Sequence, residues 1–280
     1  MTIKKIATLG PQGTYSDAAT AKYIISQGLD CSVEYFDSIK SALNSIGGDC
    51  EYGVLPIENL SEGFVSLVLD HLVDKDLAII GELILPIQFS LVSRVEPLNK
   101  IEKLFVQFVA KGQCSEFIES LGHVEIVTTE SNIESLEMLR TKEENSAAVV
   151  PALSFENKEF QLVIENINDY KNNQTRFLIF SSVNEHSCYQ QNIDYKTSII
   201  VLDDNDRPGL LEEILSSFSS RDINLTSIAS RPTGHEFGKY HFFIDFDGHL
   251  SELKVSQALD EISKINKVKI MGSYPKAKSL

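Results

Sequence analysis

Two pattern regimes predict an α/β fold in two parts. As far as about Ser181, short apolar runs alternate with amphipathic stretches of helical period, which argues for an α/β architecture with mainly parallel pairing. After a polar stretch, the order strand, helix, strand, strand, helix, strand describes a compact βαββαβ, ferredoxin-like unit. Length agrees, since 280 residues exceed what one core organises efficiently and two domains are expected.

In the first regime, strands are expected over 3–9, 32–36, 52–56, 77–83, 103–109, 124–129, 147–150 and 176–180. The best-marked helices follow Thr14, Ser61, Gly112 and Ser131. Residues 183–194 are polar, lack apolar period and read as a linker. Beyond it, strands are expected over 196–202, 224–230, 239–246 and 267–273. Leu210, Leu211, Ile214, Leu215 and Phe218 form one helical face, and Val255, Ala258, Leu259 and Ile262 form another. The acidic run Asp203 to Asp206 lacks the glycine and distant glutamate of an EF-hand, so it reads as a solvated turn.

Composition removes several functions. With 25 Lys+Arg against 40 Asp+Glu, the net charge of -15 repels polyanions, so no nucleic-acid partner is expected. Mean hydropathy is -0.06, and no apolar run approaches the roughly 20 residues that span a bilayer. No membrane partner is expected, and a start without a leader pattern points to the cytoplasm. Cys31, Cys50, Cys114 and Cys188 are scattered and read as reduced thiols. The six histidines lack ligand spacing, so no metal is expected. Walker, GxGxxG and GxSxG motifs are absent, and no cofactor is implied.

Chemistry is sought where strands run into helices, because free N–H groups collect there. The first such turn, residues 9–17, has glycines and a Thr14 to Asp17 capping box that also presents Ser16. Capping alone explains it as well as ligand binding does. The second places Glu58 and Asn59 between a buried strand and a helix start, a costly setting for a carboxylate without partners. The third presents Gln113, and the fourth has a Ser131 to Glu134 capping box. In the run Asn172 to Phe177, Thr175 and Arg176 enter an otherwise apolar strand. An arginine so placed holds an anion, either a ligand or an internal carboxylate.

In order and spacing these stretches resemble prephenate dehydratases over nearly the whole chain: residues 9–16, Val54 to Asn59 with Gly63, Thr129-Glu130-Ser131 and, above all, Thr175-Arg176-Phe177. The terminal unit resembles an ACT regulatory domain through Arg207 to Leu211, Ile223 to Thr226 and Ser230-Arg231-Pro232. The resemblance implies two α/β lobes around a cleft, similar to type II periplasmic binding proteins, with the second lobe inserted in the first. Lobe one would span about 1–76 plus 174–182, lobe two about 77–173, and the ACT domain 195–280.

The implied reaction converts prephenate to phenylpyruvate, water and carbon dioxide in L-phenylalanine biosynthesis. Thr175 would be the catalytic acid, with Thr14, Ser16, Glu58, Asn59, Gln113, Ser131, Arg176 and Phe177 binding substrate. Arg176 would take the side-chain carboxylate bidentately. L-phenylalanine would be an allosteric effector at Pro208, Gly209, Leu210, Leu211, Asn224, Leu225, Ser230 and Arg231, in a homodimer or homotetramer. The sequence departs from the family pattern at Leu60, at Val106 to Val109, at Asn132, and at Ala229, where a glutamate is usual. Three alternatives stay open at this point: a catalytically weak homologue serving as an amino-acid sensor, a prephenate decarboxylase and an arogenate dehydratase.

Overall fold

The computed structural model describes residues 4–122, 124–141, 145–182, 189–202 and 207–277. Half of the expected linker, the acidic run 203–206, His123, His186 and Cys188 lie outside the described residues. The chain opens with β1 (Lys4–Leu9), α1 (Tyr15–Gln27), β2 (Cys31–Phe36), α2 (Ile39–Ser45), β3 (Tyr52–Asn59), β4 (Gly63–Phe64), α3 (Ser66–Asp74) and β5 (Ala78–Pro86). A second lobe follows, with β6 (Phe89–Ser93), β7 (Lys103–Gln107), α4 (Phe108–Gln113), α5 (Ser115–Ser120), β8 (Glu125–Thr129), α6 (Asn132–Thr141), β9 (Ser146–Pro151) and β10 (Leu162–Ile164). The chain returns through β11 (Gln174–Ser181). The terminal unit comprises β12 (Tyr195–Val201), α7 (Leu210–Ser219), β13 (Leu225–Pro232), β14 (Tyr240–Asp247), α8 (Leu253–Ile262) and β15 (Val268–Pro275).

Three sheets result, in the orders β2-β1-β3-β11-β5, β10-β6-β9-β7-β8 and β13-β14-β12-β15, with β4 pairing β3. Parallel pairing is confined to β1 with β2 and β3, and to β7 with β8 and β9. The expectation of mainly parallel sheets is therefore corrected. Strand β11 carries the chain back from lobe two and enters the first sheet antiparallel to both β3 and β5. Because β5 pairs with β11, it belongs to lobe one, and the second lobe begins after Pro86 rather than at residue 77.

Two helix starts also differ from the sequence reading. Ser61 caps no helix: β4 intervenes, and α3 starts at Ser66 without a side-chain cap. Near Gly112 the helix begins earlier, at Phe108, because the Gln107 side chain accepts from the N–H groups of Val109 and Ala110 at 2.8 and 3.1 Å. That cap ends β7 two residues short of its expected end. Thr14 and Ser131 cap their helices as expected, but the return bonds to Asp17 and Glu134 come from the N–H groups one residue earlier, of Gly13 and Glu130.

The terminal sheet lies against the first lobe. Ala229, Phe243, Met271 and Tyr274 share one buried cluster with Ile79, Leu72, Leu178 and Phe180. Lys269 donates to the carbonyls of Leu72 and Val73 at 3.0 and 3.1 Å, placing a cation on the negative end of α3. At Gly272, where φ is +148°, the backbone of β15 comes so close to β5 that a Cβ would lie 2.2 Å from the Ile79 carbonyl oxygen. Gly272→Ala is therefore expected to destabilise the protein by about 2 kcal/mol or more, since backbone must move. Thermal denaturation measures it, with a fall of several degrees as the expected result.

Candidate active site

Side chains on a strand alternate between faces, and β11 divides its residues accordingly. Phe177 and Ile179 pack with Ile6, Ala19 and Val54, on the face covered by α1. Leu178 and Phe180 pack on the opposite face, with α2, α3 and the terminal sheet. Thr175 belongs to the first face and Arg176 to the second.

Thr175 sits opposite Asn59 in the ladder between β11 and β3. Asn59 Nδ2 donates to Thr175 Oγ1 at 2.8 Å and to the Gln174 carbonyl at 3.3 Å. Its amide cannot turn over without loss, because Oδ1 accepts from Ser61 N, Ser61 Oγ and Glu62 N at 2.9, 2.7 and 3.1 Å. This Asx turn is the local role of Ser61. Leu60, one of the departures, donates its backbone N–H to Gln174 O, and its side chain is exposed.

The two lobes meet beside this pair. Tyr15, at the start of α1, bonds through its hydroxyl to the Gln88 backbone and packs edge-on against Phe89. Gly13 has φ of +88°, and a Cβ there would lie 2.9 Å from Ile133 Cδ1 in α6. The segments that start α1 and α6 thus come into contact where the two lobes meet. Thr14 caps α1 and Ser131 caps α6, while the Ser16 carbonyl accepts from Thr8 and Thr20 hydroxyls. Gln113 is buried at the end of α4, and its Oε1 accepts from Asn173 Nδ2 at 3.0 Å.

The structure does not bring three expected substrate contacts to the cleft. Phe177 is 1% exposed and fills the core beneath α1. Arg176 is enclosed on the opposite face, where Nε donates to Glu82 at 2.7 Å, Nη1 to Asp245 at 2.6 Å and Nη2 to the Tyr274 hydroxyl at 3.0 Å. Glu58 pairs with Arg176 in register and lies 3.9 Å from its guanidinium, so it shares that face. The anion held by Arg176 is an internal one, supplied partly by the terminal unit. Glu82 completes the network with Lys196 at 2.8 Å, and Ser198 donates to Asp245 at 2.6 Å.

Electrostatics within this cluster are strong. Burial pushes the Glu82 carboxyl up, but Arg176 and Lys196 outweigh it and hold the group below its ordinary value. Burial likewise opposes the Arg176 charge, and Asp245, Tyr274 and Glu82 overcome it and raise the guanidinium further. Glu58 is raised by burial and by the neighbouring carboxylates, with Arg176 opposing. The Cys114 thiol is pushed up to about 12 by burial and then by Asp169, which makes it an inert core group. Cys31 and Cys50 are also unbridged, and among the described residues no group of side chains is arranged to hold a metal.

In the terminal unit, Gly209, Leu210 and Leu211 line a recess of about 310 Å³ at the start of α7. Leu211, Asn224 and Leu225 line an adjoining one of about 640 Å³. Arg231 is drawn away from both, binding Asp70 of α3 through two bonds of 2.7 and 2.8 Å. Ala229 is buried in the core shared with lobe one, so this side chain is spent on docking the sheet. Sequence reasoning missed Glu82, Lys196, Asp245 and Asp70, although Glu82 is a charge on an otherwise apolar strand.

Replacing Glu82 leaves two buried cations without their shared anion, so Glu82→Gln is expected to cost about 3–5 kcal/mol near neutral pH. A depressed folded-state pKa contributes stability above the unfolded value, about 4.3, that is lost as pH falls through the folded value. The gap in melting temperature between wild type and Glu82→Gln should therefore narrow below about pH 4.

Comparison with known proteins fits this architecture. A family model described as prephenate dehydratase matches residues 6–185, and one described as ACT domain matches 198–264. The prephenate dehydratase of Methanocaldococcus jannaschii is 34% identical over 268 residues, covering 95% of this chain and 96% of the relative. A crystal structure of the Arthrobacter aurescens prephenate dehydratase in complex with L-Phe superposes with a TM-score of 0.84 at 31% identity, covering 98% of this chain and 90% of that one. The Staphylococcus aureus prephenate dehydratase gives a TM-score of 0.77 at 27% identity, covering 96% of this chain and 99% of that one. A two-lobed region with threonine and asparagine paired at the cleft, closed by a regulatory-type unit and matched along nearly its whole length, places this chain in the prephenate dehydratase family, with an ACT domain at its C-terminal end.

Proposed function

We propose that the cleft converts prephenate to phenylpyruvate with Thr175 as the general acid. The observation that carries this reading is the 2.8 Å bond from Asn59 Nδ2 to Thr175 Oγ1. Because Asn59 donates, the threonine proton is left for the substrate. In the reaction the bond to the ring carboxylate breaks and its electron pair enters the diene as the C4–O bond breaks. The departing hydroxyl takes a proton and leaves as water, with carbon dioxide as the other product. A threonine hydroxyl is a weak acid, so the developing negative charge on Oγ1 must be met, and the fixed Asn59 amide meets it.

With Arg176 engaged elsewhere, the substrate's carboxylates fall to neutral donors and dipoles. The starts of α1 and α6 bring the hydroxyls of Thr14, Ser16 and Ser131 as neutral donors, while the Asp17 and Glu134 carboxylates take up the N–H groups of Gly13 and Glu130 beside them. Gln113 adds an amide. Weak, dispersed donors suit the departing carboxylate, because a tight ion pair would stabilise the ground state.

The same reading assigns the chain to L-phenylalanine synthesis and makes phenylalanine its effector, bound in the recesses of the ACT domain near Gly209, Leu211, Asn224 and Leu225. The phenylalanine complex of the Arthrobacter relative supports that choice. Ion pairs from Arg176 to Asp245 and from Arg231 to Asp70 give the ACT domain a direct hold on lobe one. Paired ACT domains would make the assembly a dimer or tetramer.

Incubation of the purified protein with prephenate should yield phenylpyruvate, and Thr175→Ala should lower kcat at least about 100-fold with little change in substrate affinity. A non-aromatic decarboxylated product, or an alanine variant keeping a tenth of wild-type kcat, contradicts the acid role. Phenylalanine should reduce apparent substrate affinity about 5- to 150-fold and raise the melting temperature.

A further inference from the structure

The buried amide of Asn173 lies between the two lobes, two residues before Thr175. It is 3% exposed, and Gln113 is 6% exposed. Each is held by its backbone: the Asn173 carbonyl accepts from Ile87 N at 2.8 Å, and the Gln113 carbonyl accepts from Asp169 N at 2.9 Å. These bonds tie Asn173 to the outgoing crossover after β5 and Gln113 to the incoming one before β11. Neither side chain can drift far from the other.

Their one mutual bond has a direction. Asn173 Nδ2 donates to Gln113 Oε1 at 3.0 Å, while Asn173 Oδ1 is buried without a partner among the described residues. An unsatisfied buried oxygen costs about 1–3 kcal/mol, so an asparagine here is a poor choice on stability alone. What it gains is polarity. With Oε1 engaged, the end of the Gln113 amide left for any other group is Nε2, a donor.

We propose that Asn173 is a positioning residue that fixes the Gln113 amide with its NH₂ free, so that Gln113 meets an acceptor oxygen of the substrate. This rests on the reading above that Gln113 lines the substrate site. Prephenate presents carboxylate, keto and hydroxyl oxygens, and a glutamine turned the other way would offer a carbonyl oxygen to groups that are mostly acceptors. Asn173 immediately precedes β11, two residues before Thr175. This short segment therefore meets two amides, Gln113 of lobe two and Asn59 of lobe one, with opposite roles: Asn173 directs the first, and the second directs Thr175.

The test is Asn173→Asp, which keeps the shape but can only accept when ionised. The Gln113 amide would then donate inward and turn its oxygen to the substrate. The expected result is a fall in kcat/KM of about 30-fold or more at a pH where the introduced carboxyl is ionised, with the ratio of variant to wild type recovering as the pH falls through that carboxyl's pKa, which burial raises above the free value of about 4. Protonation of the introduced carboxyl restores a donor toward Oε1. A ratio that is flat with pH overturns the proposal, because a packing defect has no such titration. Should that variant fail to fold, Asn173→Ala is combined with Gln113→Ala. A double variant no worse than Gln113→Ala alone, within about twofold, supports action through Gln113, whereas multiplied losses overturn it. Wild-type kcat/KM in Gln113→Ala would remove Gln113 from the substrate site and the proposal with it, while phenylpyruvate formation would still stand as a separate result.

Discussion

Alternation along β11 is the constraint on which the placement of Thr175 and the docking of the ACT domain both depend. This strand is the only return from lobe two to lobe one among the described residues, and it enters the first sheet between β3 and β5 with both edges paired. Its register is therefore fixed, and adjacent side chains must part company. Thr175 is delivered to the α1 face beside Asn59, and Arg176 to the face covered by the ACT domain. One residue step separates the proposed acid from the docking contacts.

That separation explains how charge is distributed. An ion network of Arg176, Glu82, Lys196 and Asp245 is too desolvated to be a strong source of stability by itself, yet removing any one member strands the others. Its value lies in specificity of docking. Two strands of the ACT domain, β12 and β14, contribute Lys196 and Asp245, and β15 reaches the same cluster through Tyr274. Gly272 lets β15 lie directly on β5, and Lys269 and Arg231 add further ties to α3. The ACT domain is consequently part of the packing of lobe one, and its Asp245 and Tyr274 bond to Arg176, the residue next to Thr175.

Much of this was legible in the sequence. Most strand and helix positions follow from apolar period, whereas the grouping of Asn59, Gln113, Ser131 and Thr175 in one cleft comes from the family resemblance. The strands Phe89–Ser93 and Leu162–Ile164 escaped, the first because a run buried on both faces shows no alternation and the second because it is very short. Ser61 was misread because an Asx turn and a helix cap use the same residue types. The family motif assigns Arg176 and Glu58 to the substrate together with Thr175 and Asn59, whereas the period of a strand places neighbours on opposite faces. Glu82, in the apolar run Ala78–Pro86, is a carboxylate that requires a buried cation, and only the fold identifies that cation as Arg176.

The division of labour within β11 is tested most directly by Arg176→Lys, with KM for prephenate and melting temperature measured on the same preparation. A lysine keeps the charge but loses the planar fork that reaches Glu82, Asp245 and Tyr274 together. The account predicts a melting temperature lower by several degrees with KM within about threefold of wild type. A KM raised by about tenfold or more at an unchanged melting temperature would contradict it, and would return Arg176 to the substrate carboxylate.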